Sequence, residues 1–504
     1  MSGGSMRRER AGLAAIVLAS GMAWALLAAA SAAEPDGAAA RRPNVLWFVV
    51  DDMSADLSCY GQTRVATPHV DRLAREGTLF EHAFTTAPVC SASRSALITG
   101  MYQTTIGAHH HRSGRGVLKI ELPTEVRPLP AILQSAGYHT CIGDGLGAAG
   151  DGRLGKTDYN FEWDRAIYAS SDWAGRQPGQ PFFMQVTLPG GKLRGESIES
   201  IRTLSRRAIE TFGAAVAPDD VDLPPYYPRD PVLLEDRAAY LDAVRFTDAH
   251  VGKVLSRLDE EGILETTVVI FMTDHGISHA RGKQFLYDEG TRIPLVVRGP
   301  GIPRGVRRTD LVEQIDLAAI TLAAAGVARP ASMQARDPFA TGYEPREAVF
   351  AARDRCDETV DRIRSVRTAE YLYVKNFLPR RPHLQPNAYK DGKAIVQRLR
   401  ELHRSGALDV SQDRLLFAAE RPAEELYAWT VDLHQVRNLA ADPAYAAPLA
   451  GLRARLGRWM VDCGDSGPEP EAMYDSDMAE YVGSGRAEVE GNIATMKAWA
   501  AEGR

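Results

Sequence analysis

The chain has 504 residues, 45% hydrophobic and 25% charged, the make-up of an ordinary globular protein with room for one large core or two domains. That excludes a disordered or fibrous chain. A net charge of -6 gives no overall attraction to nucleic acid or to anionic membranes, so an anionic ligand has to be met by a local cluster of basic side chains.

At the N-terminus Arg7, Arg8 and Arg10 precede an apolar stretch from Ala11 to Ala30, followed by Ala30-Ser31-Ala32. This is the layout of a signal peptide over 1–33, and it predicts a periplasmic or secreted protein with no stable membrane insertion after cleavage. An uncleaved anchor is the alternative, because the stretch approaches spanning length. In an exported chain five cysteines, Cys59, Cys90, Cys141, Cys356 and Cys463, are too few for a disulfide scaffold. Their odd number leaves at least one that needs another explanation.

Residues 44–50 are a continuous apolar run that reads as a buried parallel strand ending in Asp51-Asp52. Helical patterns at 68–76, 91–99 and 129–136, a strand at 181–188 and a long amphipathic helix over 233–261 follow. A second buried run, 267–272, ends in Thr273-Asp274-His275-Gly276, and a strand at 293–298 and a helix at 316–325 come after it. The alternation predicts a doubly wound α/β domain over 42–330, with helices on both faces of the sheet and function at the carboxyl ends of its strands. Beyond a Pro- and Ala-rich crossover, short segments at 348–352, 361–368 and 371–377 and a helix at 447–461 predict a smaller α+β subdomain over 346–465 with an antiparallel sheet. The polar tail, 466–504, receives no role.

Adjacent acids at the end of a buried strand are costly unless something pairs with them, and a hard divalent cation would offset their repulsion. An isolated Asp-Asp more often caps a turn. The second acid-bearing strand end, Asp274-His275, changes the weighing, since two strand ends can converge on one metal with three carboxylates and an imidazole. Cys90 opens a helical pattern with Arg94 four residues on, where helix dipole and cation would lower a thiol pKa. A buried structural cysteine fits the composition equally well.

The segment Cys90-Ser-Ala-Ser-Arg94-Ser-Ala-Leu-Ile-Thr99-Gly100, preceded by Pro88, resembles the signature of type I sulfatases. In that signature Cys-x-Pro/Ala-x-Arg followed by Leu-x-Thr-Gly directs oxidation of the cysteine to formylglycine; Ala92 is the alanine variant. The likeness extends through 43–52, 66–71, 77–84 and 271–297. Gly107-Ala-His-His-His111 and Arg353-Asp-Arg-Cys-Asp-Glu-Thr-Val-Asp-Arg362 are most similar to the heparan N-sulfatase-like group. The resemblance implies an alkaline phosphatase-like fold, a sulfated carbohydrate substrate carrying sulfate esters or sulfamates, and a formylglycine-generating maturation enzyme as partner. It implies that one gem-diol oxygen at position 90 attacks sulfur, and that the second hydroxyl, which a plain serine lacks, then expels sulfate. It further implies Ca²⁺, or Mg²⁺, held by Asp51, Asp52, Asp274, His275 and the oxygen at position 90. Arg94 would orient the gem-diol, and Lys156 and Lys283 would contact sulfate as fixed cations.

Two positions depart from the family pattern. Gly155-Lys156-Thr157-Asp158 stands where Gly-Lys-x-His is common, and Pro189-Gly-Gly-Lys192 follows the strand where a histidine usually protonates the leaving group. That proton must come from elsewhere. His279, between Asp274-His275 and Lys283, ranks first, ahead of Lys192 and the His109, His110, His111 run. The three histidines read as pocket lining, although alone they fit a metal patch or a solvated loop. Arg353, Asp354 and Arg362 are candidates for sugar contacts, against an exposed ion-pair cluster. Two rival readings are a phosphomonoesterase or phosphodiesterase of the same architecture, whose nucleophile is Ser or Thr, and a non-catalytic glycan-binding protein.

Overall fold

Alternate residues of the first strand divide between two cores. Val45, Trp47 and Val49 of β1 (Asn44–Val50) enter one hydrophobic cluster, and Leu46, Phe48 and Val50 enter another, all at 0% exposure. A strand buried on both faces reads as a continuous apolar run, which is why this sequence does not alternate. The computed structural model describes Met1 and residues 42–147, 150, 152–482 and 487–504. Apart from Met1, the expected signal peptide lies outside the described residues.

The main elements of the first part of the chain are β1, α1 (Pro68–Glu76), β2 (Thr78–Phe84), α2 (Cys90–Thr99), α3 (Leu129–Ser135), β3 (His139–Gly143), β4 (Phe182–Leu188), α4 (Ile198–Phe212), α5 (Pro231–Glu260), β5 (Thr267–Thr273), β6 (Arg292–Arg298), β7 (Val306–Arg308), β8 (Val312–Glu313) and α6 (Asp316–Ala324). The strands form one sheet in the order β3-β4-β1-β5-β6-β2-β7, with β8 also pairing with β2. β3, β4, β1 and β5 are parallel, and β6 runs antiparallel to both β5 and β2. Helices α2, α3 and α6 cover one face and α1 and α5 the other. This is the doubly wound α/β arrangement that the strand and helix alternation predicts.

Later elements are β9 (Val349–Arg353), β10 (Ile363–Arg367), β11 (Leu372–Asn376), a single-turn α7 (Ala388–Asp391), α8 (Ala394–Arg404), β12 (Glu424–Tyr427), α9 (Ala446–Asp462), α10 (Glu471–Val482) and α11 (Ala487–Ala501). Four of them make an antiparallel sheet, β12-β11-β10-β9. α9 packs on it through Leu449, Leu452, Leu456 and Trp459. The tail that reads as merely polar folds into α10 and α11. All five cysteines are free, and among the described residues no helix is long and apolar enough to cross a membrane.

The register places the site. Val50 of β1 pairs with Thr273 of β5 on one side and with Leu188 of β4 on the other. Three parallel strands therefore end at one level, and the residues that follow them, Asp51-Asp52, Asp274-His275 and the 189–192 turn, converge. The chain leaves β1 for neighbours on opposite sides at this point, where open sheets form their ligand crevices.

Candidate active site

Successive residues of an extended strand point to opposite faces. Asp52 escapes that rule because its φ is +52°, a left-handed conformation that aspartate tolerates better than most residues. Both carboxylates then face the same space. Asp51 and Asp52 are 5% and 1% exposed and Asp274 and His275 both 0%.

Cys90 is the first residue of α2 and 2% exposed. Its Sγ lies 3.2 Å from His275 Nε2, 3.2 Å from Lys283 Nζ and 3.5 Å from Lys192 Nζ. Burial alone would raise the thiol, but Lys156, Lys192, Lys283 and His275 outweigh it and hold the group well below its ordinary value. Asp51 behaves alike: burial opposes ionisation, and Arg94, Lys156 and Lys192 hold the carboxyl well below the usual range. Arg94, one turn into α2, donates to Asp51 Oδ1 at 2.9 Å and to Asp274 Oδ2 at 3.0 Å. Lys156 reaches both oxygens of Asp51 at 3.1 Å, Lys192 reaches Oδ2 at 3.1 Å, and Lys283 reaches Asp52 Oδ1 at 2.9 Å.

Asp274 differs from its neighbours. Burial first, and then the Asp51 carboxylate, push it up to about 7, and its Oδ1 has no hydrogen-bond partner among the described residues. Asp51, Cys90 and Asp274 form one compact donor group, and Asp52, Cys90 and His275 another, with donor atoms within 4.8 Å of one another. Crowded carboxylates with an unpaired buried oxygen, beside an imidazole, fit a hard divalent cation.

Cys90 opens onto a cavity of about 580 Å³ lined by Lys156, Asp158, Lys192, Lys283, His111 and Arg112 on its inner side. Asp158 bonds Arg115 at 3.0 Å and lies 3.6 Å from Lys156. His111 accepts or donates at Nδ1 with the Ser91 hydroxyl at 2.7 Å. Burial, with Arg112 and Lys283, holds its ring well below 6.5, so it is neutral at neutral pH.

Several sequence candidates lie elsewhere. His279 is not at the cavity wall: its Nδ1 is 3.0 Å from Glu289 and its Nε2 2.9 Å from Asp236. With both nitrogens bound to carboxylates, the imidazole has no atom free for a leaving group. Neither His109 nor His110 lines this cavity. Arg353 is bonded to Asp361 at 2.5 Å, Asp354 is paired with Arg364 at 3.0 Å, and Arg362 borders a different cavity. Arg355 and Asp357, which follow the end of β9, present to the cavity instead. Sequence reasoning also missed Tyr389 of α7, whose hydroxyl donates to Asp52 Oδ2 at 3.2 Å and accepts from Lys283 at 3.4 Å. Asp477, Met478, Glu480 and Tyr481 of α10 complete the outer wall. Nothing local in the sequence marks these residues, since each arrives from a distant element.

Residues 43–327 match the sulfatase family. The chain is similar to an ulvan-active sulfatase of Formosa agariphila, 31% identical over 472 residues that cover 86% of this chain and 77% of that protein. It is also similar to the N-sulphoglucosamine sulphohydrolase of Homo sapiens, 28% identical over 478 residues, covering 84% and 91%. Among solved structures it superposes on BT1596, a 2-O GAG sulfatase, with a TM-score of 0.57 and 18% identity over 86% of this chain and 96% of that one. Fold and matches together define a hydrolase of the alkaline phosphatase-like class. The chain belongs to the sulfatase family and is a sulfuric ester hydrolase.

Proposed function

We propose that this protein is an exported sulfatase that removes sulfate from a sulfated polysaccharide, with position 90 as nucleophile. The observation that carries the reading is the position of Cys90 at the floor of a cavity, between three lysines and the convergent carboxylates. An ulvan-type substrate, or one bearing N-sulphoglucosamine, is supported by the names of the two relatives above.

Asp51, Asp52, Asp274 and His275 would hold Ca²⁺, or Mg²⁺, which would polarise the sulfate oxygens as a Lewis acid. Oxidation of Cys90 to formylglycine by a maturation enzyme would supply a hydrated aldehyde oxygen in place of the thiol. The chain's own side chains do the rest. Arg94 fixes the Asp51 and Asp274 carboxylates through charged hydrogen bonds. Lys283, almost fully buried between Asp52 and Cys90, and Lys156 offer fixed positive charge to the sulfate as it transfers.

Lys192 takes the place of the missing histidine as proton donor. Burial would lower its ammonium, but Cys90, Asp52 and Asp51 hold it above its usual value, so it enters the reaction protonated. Its side chain is 33% exposed at the cavity wall, within reach of a departing sugar oxygen. His111, held neutral, is poorly suited to that task.

Mass spectrometry of the Cys90 peptide after co-expression with a maturation enzyme, together with turnover of aryl sulfate against aryl phosphate, tests the reading. Conversion of the thiol to the aldehyde with sulfate hydrolysis dominant is the expected result. An unmodified thiol with no turnover favours the glycan-binding alternative, and dominant phosphate hydrolysis favours the phosphoesterase.

A further inference from the structure

We propose that His109, His110 and Asp354 form a second metal site, suited to a borderline transition ion of the Zn²⁺ type, that clips the histidine loop to the end of β9. The three side chains are 5%, 5% and 1% exposed. One donor atom from each lies within 4.8 Å of the other two. Both ring nitrogens of His109 and Nδ1 of His110 have no hydrogen-bond partner among the described residues.

A neutral imidazole carries one N–H and one lone pair, and burying either without a partner leaves its desolvation uncompensated. A cation seated between the rings accepts one lone pair from each, which accounts for one nitrogen of His109 and one of His110. Two imidazoles and one carboxylate are the donor set of Zn²⁺ and its neighbours, whereas Ca²⁺ and Mg²⁺ prefer the oxygen-rich group at Asp51.

The surroundings support the same occupant. Arg364 donates twice to Asp354 Oδ1 at 3.1 Å, and Asn160 Nδ2 donates to the carbonyls of Ala108 and His110 at 2.9 and 2.7 Å. These bonds fix the carboxylate and the histidine backbone, as outer partners of metal ligands do. His110 also borders a cavity of about 790 Å³ beside Tyr474 and Met496, which gives an ion a path inward. The chain neighbours of two ligands, His111 and Arg355, enter the catalytic cavity. The clip thus sets the position of two catalytic walls that are distant in sequence.

The test uses the full-length protein with Cys90→Ala and Asp52→Asn, which removes competing ligands at the catalytic group, stripped with a chelator and dialysed with excess Ca²⁺ and a small amount of Zn²⁺. We expect one equivalent of Zn²⁺ to be retained, and affinity to fall about a hundredfold or more when His109→Asn or His110→Asn is added. Crystals of the unsubstituted protein soaked in Zn²⁺ give a measurement independent of how the variants fold: an anomalous peak is expected between His109, His110 and Asp354. No retained Zn²⁺, retention that survives both histidine substitutions, or a soaked crystal without that peak overturns the site.

Discussion

Position 90 and the groups around it make the sharpest expectations. On the proposed mechanism, Cys90→Ala should lower turnover by about 10⁴-fold or more while leaving the thermal transition in place, because it removes the nucleophile and little packing. Cys90→Ser should separate the two halves of the reaction. A single hydroxyl can be sulfated but cannot collapse to an aldehyde, so mass spectrometry should find a stable sulfated peptide after one turnover. Lys192→Ala should cut kcat on sugar sulfates by about 10²- to 10⁴-fold and barely affect aryl sulfates, whose leaving groups need no proton. Equal losses on both substrate types would remove Lys192 as the acid.

Asp274 sets a pH dependence. Its carboxyl is raised from 3.8 to about 7 in the folded chain, so without a cation the fold holds a proton that the unfolded chain releases. That contribution to stability is complete below the unfolded value and is lost as pH climbs through about 7. Cation binding must displace the same proton. Ca²⁺ affinity should therefore rise about tenfold per pH unit up to about pH 7 and then flatten, by calorimetric titration on either side of that value. An affinity independent of pH across this window would remove Asp274 from the ligand set.

At the scale of elements, the turn after β4 explains how Lys192 reaches the site. A Cβ on Gly190, whose φ is +51°, would meet Asp51 O at 2.2 Å, and one on Gly191 would meet Asp52 O at 2.1 Å. Only glycines let the turn press against the backbone of the Asp pair and carry Lys192 to within 3.1 Å of Asp51. Helix α10 has the opposite history. Its Asp477 accepts from the backbone of Gly114, Arg115 and Gly116 and from Arg355 at 2.8 to 3.2 Å. Asp477→Ala leaves three amide donors without their acceptor, while Arg355 keeps Glu469, and should cost about 1–3 kcal/mol of stability in chemical denaturation. It should also raise KM for a sulfated polysaccharide more than for an aryl sulfate, since α10 walls the outer cavity and not the floor.

Elements with strong local signals were legible. β1 and β5 are apolar runs with polar ends, and α5 begins with an Asp230 cap and Pro231, so their places differ little from expectation. β2, with two half-buried positions and a register shift beside β6, lacks the clean period that identifies a strand. α10 and α11 have acidic, mixed surfaces, and only their packing against the 358–360 segment, α7 and the 114–118 loop makes them structural.

For the whole molecule, the large sheet supplies the floor of the site and the later part of the chain supplies its roof: Arg355, Asp357, Tyr389 and α10. Chelation should therefore abolish activity and lower the thermal transition together, because the cation offsets repulsion among carboxylates at the ends of the central strands. A chelated protein with an unchanged transition would place the stabilising charge elsewhere.

By itself the sequence brought out the motif at position 90, the two acid-bearing strand ends and the α/β class, because each is written in contiguous residues whose pattern or periodicity is local. Only the tertiary structure decided that His279 is locked between Asp236 and Glu289, that Arg355 rather than Arg353 faces the cavity, and that the tail closes it. Those outcomes depend on which surfaces meet across hundreds of residues, and no local pattern encodes a meeting between distant elements.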